Sequence, residues 1–457
     1  MLLFDQFFND NDVQDAIDII LKRLEFYQHN IEGVKPANKD FETDFSNLMR
    51  TIETVKGPLF YPYLSSGFGK GPYVECADGS VKLDFISGIG VHWSHSDPRI
   101  IRSSLHAALH DCVMQGNLQQ HQGSVPLYEL LAKASGLDHV FLTSSGVMGV
   151  ENALKICFQY KSPAKRILSF SNCFCGRTLA AASITDKPQY REGLPIVLPV
   201  DYVPFYDPKN PKESIQRSVE ILKGYIKRYP NDYACMKFEL IQGEGGFNVG
   251  SKIFFKAIIS CLKEANIPVY IDETQTFGRT TELFAFQMFD LQDDVDVVSI
   301  GKMSQVCALL YRKHLKPKPG LISQTFTSST TAIEAAKLIL TELQSNNYFG
   351  KKGKMATLND YFCKKLRSLA KKLPKTISDF RGVGSMIGFK LFQGDYQQSL
   401  TFIKICYKNG LILFIAGNNP TYIRFLLPIG DIDQCHIDEA MLIIEKSILE
   451  IKEEPNL

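Results

Sequence analysis

The chain lacks any run that approaches ~18 uninterrupted apolar residues, which a membrane-spanning helix needs. Its N-terminal run, MLLFDQFF, has no basic start and is interrupted by Asp5, so we expect no secretory signal. An excess of one charge sign is missing too, since 51 basic and 49 acidic residues leave a formal net charge of +2. That balance gives no electrostatic support for binding nucleic acid or an anionic membrane.

Cysteine is present, but its arrangement is not typical of a disulfide framework or a metal site. The 11 cysteines are scattered from Cys76 to Cys435, and an odd number cannot all pair. The CFC run from Cys173 to Cys175 does not have zinc-site spacing. We therefore expect reduced thiols in a cytoplasmic protein without a metal centre. Internal repeats and low-complexity tracts are also missing.

The 457 residues, 45% of them hydrophobic, suffice for a globular protein with more than one domain. From about Val140, short apolar runs alternate with helical stretches. The runs are VFLTS, RILSF, MKFELI, IPVYIDE and DVVSIG. Strands that alternate with helices predict βαβ units and a mostly parallel sheet. Ligands bind outside the carboxyl ends of the strands in such sheets.

Smaller elements flank this region. The residues up to about Lys56 predict helices of unassigned role, and GPYVECADGSVKLDF predicts a hairpin. After about Thr331 come a long helix and the strand-like runs MIGFKLF, LILFIAG and YIRFLLP. We therefore predict an N-terminal segment, residues 1–92, that contributes to a small α+β domain at residues 331–457. A large ligand-binding α/β domain is predicted between them, at residues 93–330.

Several predicted strands end in polar groups that a core excludes. Asp272 ends IPVYI, Lys302 follows DVVSIG, and Glu239 and Glu244 lie in FELIQGEGG. Lys302 is the only charged residue in VSIGKMSQVCALLY, and lysine is rarely buried without a partner. Taken alone, Lys302 also fits a side chain that reaches out to solvent. The strand-end rule instead predicts that these groups meet in one crevice.

Two further strand ends add a phosphate site and an aromatic ring. Ser144, Ser145 and Gly146 precede a predicted helix, whose first N–H groups can bind phosphate. Phe174 and Arg177 follow RILSF. A phosphate cradle, an aromatic ring, a strand-end carboxylate and a lysine together indicate pyridoxal 5'-phosphate (PLP). The lysine forms a Schiff base with its aldehyde, and the carboxylate pairs with its pyridine nitrogen.

These segments resemble the class III (ω-amino acid type) aminotransferases of PLP fold type I, from about Gly71 to the C-terminus. The similar segments are LDFISGIGV, LTSSGVMGVENALKI, SNCFCGRTLAAASIT, ELIQGEGGF, IDETQTFGRT, TFTSSTTAIEAAKLIL and YIRFLLPI. GKMSQVC is most similar to the lysine ε-aminotransferase branch. The resemblance implies an α/β fold with a mostly parallel central sheet in the large domain and a smaller α+β domain.

The resemblance also implies roles for single residues. Lys302 is implied as the Schiff-base lysine and proton shuttle, and Asp272 as the partner of the pyridine nitrogen. The other implied cofactor-binding residues are Ser145, Gly146, Val147, Phe174, Gln275 and Thr325. Thr325 would reach the cofactor of the neighbouring subunit, which implies a homodimer with shared active sites.

The implied substrate groups carry charge. Arg424 is implied for the α-carboxylate of glutamate or 2-oxoglutarate, and Arg177 for the distal carboxylate, since arginine binds carboxylates bidentately. Glu244 would pair with Arg424 while a terminal amine reacts.

The resulting hypothesis is a cytoplasmic PLP-dependent aminotransferase. It would transfer an amino group from an ω-amino or diamino acid, such as lysine, ornithine or 4-aminobutyrate, to 2-oxoglutarate by a ping-pong mechanism. One alternative is an aminomutase or racemase on the same scaffold. The other is a degenerate, non-catalytic PLP-fold protein that serves in interactions.

Overall fold

The structure, a computed structural model, describes residues 1–453. Its helices are α1 (Leu3–Phe8), α2 (Asn11–Gln28), α3 (Glu42–Val55), α4 (Ser87–Gly90), α5 (Pro98–Ala108), α6 (Val125–Ser135), α7 (Gly146–Tyr160), α8 (Leu179–Ile184), α9 (Pro211–Arg228), α10 (Lys252–Glu264), α11 (Ala285–Met288), α12 (Thr330–Ser345), α13 (Lys354–Lys372), α14 (Tyr396–Lys408) and α15 (Gln434–Glu453). Within the described residues, no helix has the length and apolarity that crossing a bilayer requires.

The strands are β1 (Ser65–Lys70), β2 (Tyr73–Cys76), β3 (Val81–Asp84), β4 (Met114–Gln115), β5 (His139–Thr143), β6 (Arg166–Phe170), β7 (Val200–Val203), β8 (Tyr233–Phe238), β9 (Ile241–Gln242), β10 (Asn248–Val249), β11 (Val269–Asp272), β12 (Val297–Ile300), β13 (Cys307–Tyr311), β14 (Ser328–Ser329), β15 (Ile377–Val383), β16 (Met386–Leu391), β17 (Leu411–Ile412), β18 (Phe414–Gly417) and β19 (Thr421–Leu426).

The chain forms two compact units. The first contains residues 1–109, 357–380 and the chain from Ser385 onward, and the second contains residues 110–356 and 381–384. The predicted domain boundaries at residues 92 and 330 stay a prediction, because compactness alone does not define a domain.

The second unit is built on a seven-stranded sheet in the order β5-β13-β12-β11-β8-β6-β7. The pairs β12–β11, β11–β8, β8–β6 and β6–β7 are parallel, and only β13 runs against its neighbours. The carboxyl ends of β12, β11, β8 and β6 therefore lie side by side at one edge. The predicted α/β fold with a mostly parallel sheet is confirmed.

Burial explains why these sequences form central strands. Every residue of β8, β11 and β12 is buried, as expected for parallel strands that helices cover on both faces. Helix α7 packs Val150, Ala153 and Ile156 into the same core as Ile167 of β6. Each large apolar side chain buried in this way stabilises the fold by about 1.5–3 kcal/mol. The sheet is thus a rigid base for the residues at its edge.

The first unit contains two four-stranded sheets, in the orders β1-β2-β3-β17 and β15-β16-β19-β18. The run LILFIAG, expected as one strand, is divided between them. Leu411 pairs with Leu83 in one sheet, and Phe414 pairs with Arg424 in the other. The break falls at Leu413, whose carbonyl accepts a hydrogen bond from the Tyr61 hydroxyl at 2.6 Å.

The N-terminal helices, whose role the sequence left open, pack within the first unit. Ile17 and Leu21 on one face of α2 are buried. The buried amide of Gln28 donates to the carbonyls of Gly69 and Ser96, both at 2.8 Å. The stretch before Lys56 is therefore anchored to the hairpin strand β1 and to the loop before α5.

Glu273 holds the loop after β11 in place. Its buried carboxylate accepts hydrogen bonds from the Thr276 hydroxyl and from the N–H groups of Ala285 at 3.1 Å and Phe286 at 2.9 Å. Burial, which outweighs these hydrogen bonds, raises the pKa of Glu273 to about 7. The folded state therefore binds a proton on Glu273 more tightly than the unfolded chain does.

We predict that stability depends on pH through Glu273. Because the folded pKa lies above the unfolded value of 4.5, the stabilising contribution is complete below that value and is lost as pH rises through about 7. Relative to Glu273→Gln, the wild-type free energy of unfolding should fall by on the order of 3 kcal/mol between about pH 5 and pH 8. Urea titrations measure this difference. Glu264→Gln, at an exposed carboxylate of α10, is the control. Equal pH slopes for wild type and Glu273→Gln contradict the assignment.

Candidate active site

A cavity of about 300 Å³ lies at the edge where β12, β11, β8 and β6 end. All of its lining residues belong to the second unit. They are Gly146, Val147, Val150, Phe174, Cys175, Gly176, Arg177, Glu239, Ile241, Glu244, Asp272, Thr274, Gln275, Thr276 and Lys302. Eight of the residues predicted from the sequence are therefore together: Gly146, Val147, Phe174, Arg177, Glu244, Asp272, Gln275 and Lys302.

The start of α7 forms one wall. Gly146 and Val147 line the cavity from the first turn, where helix N–H groups have no intrahelical partner. Ser145 is the N-cap of this helix, and its hydroxyl accepts from the Met148 N–H at 3.3 Å. Ser145 does not line the cavity. A Cβ on Gly146 would lie 3.1 Å from the Thr274 methyl group. This close approach of bare backbone suits a phosphate group.

Asp272, the last residue of β11, makes three polar contacts. Its Oδ1 accepts from the Thr274 N–H at 3.0 Å and the Ser299 hydroxyl at 3.2 Å. Its Oδ2 lies 2.9 Å from the Lys237 ammonium. Burial alone would raise the pKa of Asp272, but the Lys237 charge and the hydrogen bonds together outweigh burial and hold the pKa below its usual value. The carboxylate is therefore held as an anion.

Lys237 was not predicted from the sequence as a site residue. Its side chain is completely buried in β8, and it also donates to the Phe174 carbonyl at 2.7 Å. Burial would lower its pKa, but the Asp272 carboxylate together with further groups, Glu239 among them, outweighs burial and raises it. The signal was present in the sequence, because Lys237 is the only charged residue in the run YACMKF.

Glu239 follows β8 and supports the aromatic residue. Its carboxylate accepts from the N–H groups of Phe174 and Gly243, both at 3.0 Å. Burial raises the pKa of Glu239 despite the opposing charge of Lys237. Both backbone groups of Phe174 are thus held, its N–H by Glu239 and its carbonyl by Lys237. The sequence pattern had placed Glu239 at this edge without a role.

Gln275 supplies an available acceptor. It is 9% exposed, and its Oε1 has no hydrogen-bond partner within residues 1–453. A buried polar atom without a partner is costly, so its presence beside a cavity points to a ligand group. A ring hydroxyl is such a group. With the bare backbone at Gly146, this observation shows that the residues fit PLP.

Lys302 lines the cavity from the turn after β12. Its φ is +58°, in the left-handed region that costs roughly 1–2 kcal/mol for a residue with a side chain. Its carbonyl accepts from the Gln305 N–H at 2.9 Å, which closes a 3-10 turn over Lys302–Ser304. Strained conformations of this kind cluster at functional sites. The lysine is thus held at the cavity rather than extended into solvent.

Beside the cavity residues Arg177 and Glu244, two cations lie close to one aromatic ring. The Arg177 guanidinium lies 4.7 Å from the centre of the Tyr190 ring, and the Lys187 ammonium lies 5.4 Å from it. Lys187 also donates to the Glu244 carbonyl at 2.7 Å and lies 3.8 Å from its carboxylate. Lys187 and Tyr190 come from the coil and 3-10 turn after α8. No spacing in the sequence singles them out.

Besides Ser145, two predicted site residues do not line this cavity. Thr325 is exposed in the loop before β14 and does not line this cavity. Arg424 is in β19 of the first unit, 1% exposed, with its guanidinium 5.2 Å from the centre of the Phe414 ring. Arg424 is therefore a buried arginine and not one exposed at the edge of a sheet. The roles implied for both residues stay predictions.

Known proteins resemble this chain over most of its length. The model of the family "Aminotransferase class-III" matches residues 63–448. The acetylornithine aminotransferase of Methanocaldococcus jannaschii is 30% identical over 400 residues, which cover 84% of this chain and 93% of that protein.

Two solved structures share the fold. Lysine aminotransferase from M. tuberculosis superimposes with a TM-score of 0.77 at 22% identity, covering 90% of this chain and 99% of that one. Ornithine aminotransferase from Toxoplasma gondii gives 0.75 at 22% identity, with 94% and 99% covered. The family match and this fold confirm the resemblance and the expected cofactor. The chain belongs to the class III aminotransferases, and it is a PLP-dependent transaminase.

Proposed function

We propose that this transaminase moves an amino group from an ω-amino or diamino acid to 2-oxoglutarate in two ping-pong half-reactions. The observation that carries the proposal is that Arg177 and Glu244 line the same cavity as Lys302 and Asp272. A site that accepts both a terminal amine and a dicarboxylate needs a cation that binds the distal carboxylate. It also needs an anion that can neutralise Arg424 when no α-carboxylate is bound there. Arg177 and Glu244 supply these two charges in the cavity that Lys302 lines.

When bound, PLP would supply an aldehyde for Lys302 and a ring that withdraws electrons from the substrate carbon. The residues that line the cavity would hold and orient it. The N–H groups at the start of α7 would bind the phosphate, Phe174 would pack on the ring, and Gln275 would accept from the ring hydroxyl. Asp272 would pair with the ring nitrogen. Lys302 Nζ then takes the proton from the substrate carbon and returns it, acting as the general base and acid.

The charged groups set which carboxylate is bound. Arg177, held beside the Tyr190 ring, is proposed to bind the distal carboxylate of glutamate and 2-oxoglutarate. Arg424 is proposed for the α-carboxylate, with Glu244 as its partner while a terminal amine reacts. The Lys187 ammonium, 3.8 Å from the Glu244 carboxylate, gives Glu244 another cation to pair with when Arg424 binds substrate.

We further propose a homodimer with shared active sites, in which the exposed Thr325 reaches the partner's cofactor. The similarity of GKMSQVC to the lysine ε-aminotransferase branch, and the lysine and ornithine aminotransferases among the structural neighbours, favour a diamino acid as donor. The acetylornithine aminotransferases among its relatives keep acylated ornithine among the candidates. The cytoplasmic location stays a prediction.

We predict that 2-oxoglutarate returns the aminated cofactor to its aldehyde form. The experiment loads the enzyme with an excess of L-lysine or L-ornithine, removes the amino acid, and adds 2-oxoglutarate while the visible spectrum is recorded. Recovery of the original spectrum together with formation of glutamate supports the proposal. A spectrum that no 2-oxo acid restores, with a rearranged or epimerised amino acid as product, supports the aminomutase or racemase alternative. Absence of any response to amino acids supports the non-catalytic alternative.

Lys302→Ala should abolish covalent attachment of the cofactor, because no other lysine lines the cavity among the described residues. Borohydride reduction followed by peptide mass spectrometry measures the attachment. Lys316→Ala, an exposed lysine of the same unit, is the matched control and should retain it. Attachment that persists in Lys302→Ala would falsify the assignment.

Arg424→Ala should damage the glutamate half-reaction more than the ω-amine half-reaction, because only glutamate offers an α-carboxylate beside the reacting amine. Loss of a hydrogen bond between charged groups costs about 1.5–3 kcal/mol, or roughly 10- to 100-fold in kcat/KM. Single-turnover spectra with each amino donor separate the two half-reactions. Equal losses in both count against the proposed pairing of Glu244 with Arg424.

A further inference from the structure

We propose that Lys237 is a positioning residue that weakens the protonation of the cofactor's ring nitrogen by neutralising Asp272 in advance. The proposal rests on the proposed placement of the ring nitrogen against Asp272. The further point is that the Asp272 carboxylate is already paired with a cation of the chain, the Lys237 ammonium.

The geometry of the pair carries the argument. Lys237 Nζ lies 2.9 Å from Asp272 Oδ2, with 0% and 8% of the two side chains exposed. The other oxygen, Oδ1, already accepts from the Thr274 N–H and the Ser299 hydroxyl. A carboxylate has about four lone-pair sites, so a ring N–H group must share Oδ2 with the ammonium or displace a donor from Oδ1.

Charge gives the same result as hydrogen-bond geometry. A protonated ring nitrogen on Asp272 would be a second cation on one buried carboxylate. Like charges close together disfavour the ionised form, and burial strengthens this effect because water does not screen it. The nearby Glu239 contributes less negative charge, because burial raises its pKa and disfavours its ionised form. The ring nitrogen therefore keeps less of its proton than it would opposite an unpaired aspartate.

Lys237 also links Asp272 to Phe174. Its ammonium donates to the Phe174 carbonyl at 2.7 Å while it pairs with Asp272. One side chain thus fixes the aspartate and the backbone of the aromatic residue together.

The consequence for the reaction is electronic. Lys302 Nζ is proposed to take the proton from the substrate carbon, and the bound cofactor would supply the electron withdrawal that this proton transfer needs. A less protonated ring nitrogen would supply that electron withdrawal more weakly. Lys237 should therefore restrain this step, and its removal should strengthen electron withdrawal by the ring.

The test uses the holoenzyme with PLP labelled with ¹⁵N in the ring and compares wild type, Lys237→Met and Ser299→Ala. Ser299→Ala removes a neutral hydrogen bond to the same carboxylate and leaves the charge unchanged, so it is the matched control. The ¹⁵N chemical shift of the resting enzyme reports protonation of the ring nitrogen independently of activity. We expect the shift in Lys237→Met to move toward the protonated form, while that in Ser299→Ala stays near the wild-type value.

Equal ¹⁵N shifts in wild type and Lys237→Met overturn the proposal. If the Lys237→Met protein does not fold, the wild-type enzyme alone is decisive, because a fully protonated ring nitrogen at neutral pH contradicts the role given to Lys237. The outcome is separate from that of the proposed function. If labelled PLP does not attach to Lys302, the proposed site fails, whereas attachment with an unchanged shift removes only this inference.

Discussion

The ion pair between Lys237 and Asp272 is the constraint on which the site depends. The two residues lie in adjacent parallel strands in which every residue is buried. The Lys237 side chain is 0% exposed, and that of Asp272 is 8% exposed where it lines the cavity. Removing one partner of such a pair costs about 3–5 kcal/mol, because the other charge is left buried and uncompensated. The pair therefore fixes the position of Asp272 before any cofactor binds.

The remaining site residues follow from strand order. β12, β11, β8 and β6 are consecutive in the sheet, and each delivers a different group to the same edge. β12 is followed by Lys302, β11 ends in Asp272, β8 is followed by Glu239, and β6 is followed by Phe174. Glycine allows the loops to approach closely, since a Cβ on Gly243 would lie 1.9 Å from the Gln275 side-chain oxygen. The order of the strands and the short loops after them therefore bring the site residues together at one edge of the sheet.

The sequence predicted this edge well because a local pattern encodes each part of it. Buried apolar runs predicted the strands, and the charged residues at or just after their ends pointed to Asp272 and Lys302. The aromatic residue in the segment after β6 pointed to Phe174. The same reasoning passed over Lys237, although it is as isolated among apolar residues as Lys302 is. It lies inside its strand rather than at its end, so the strand-end rule gave it no role.

Other features depend on tertiary contacts that no short pattern encodes. The run LILFIAG has the composition of one strand, yet it divides between two sheets at Leu413, where the Tyr61 hydroxyl donates to the backbone carbonyl. Lys187 and Tyr190 approach Glu244 and Arg177 from a coil and a 3-10 turn that no sequence motif marks. Their position depends on where α8 ends, which side-chain spacing does not determine.

A crystal structure of the PLP-loaded protein tests the central claim most directly. The account predicts the phosphate against the N–H groups of Gly146 and Val147, the aldehyde carbon bonded to Lys302 Nζ, and the ring nitrogen within hydrogen-bonding distance of an Asp272 carboxylate that still contacts Lys237. A cofactor bound at another place, or bonded to a different lysine, would contradict it.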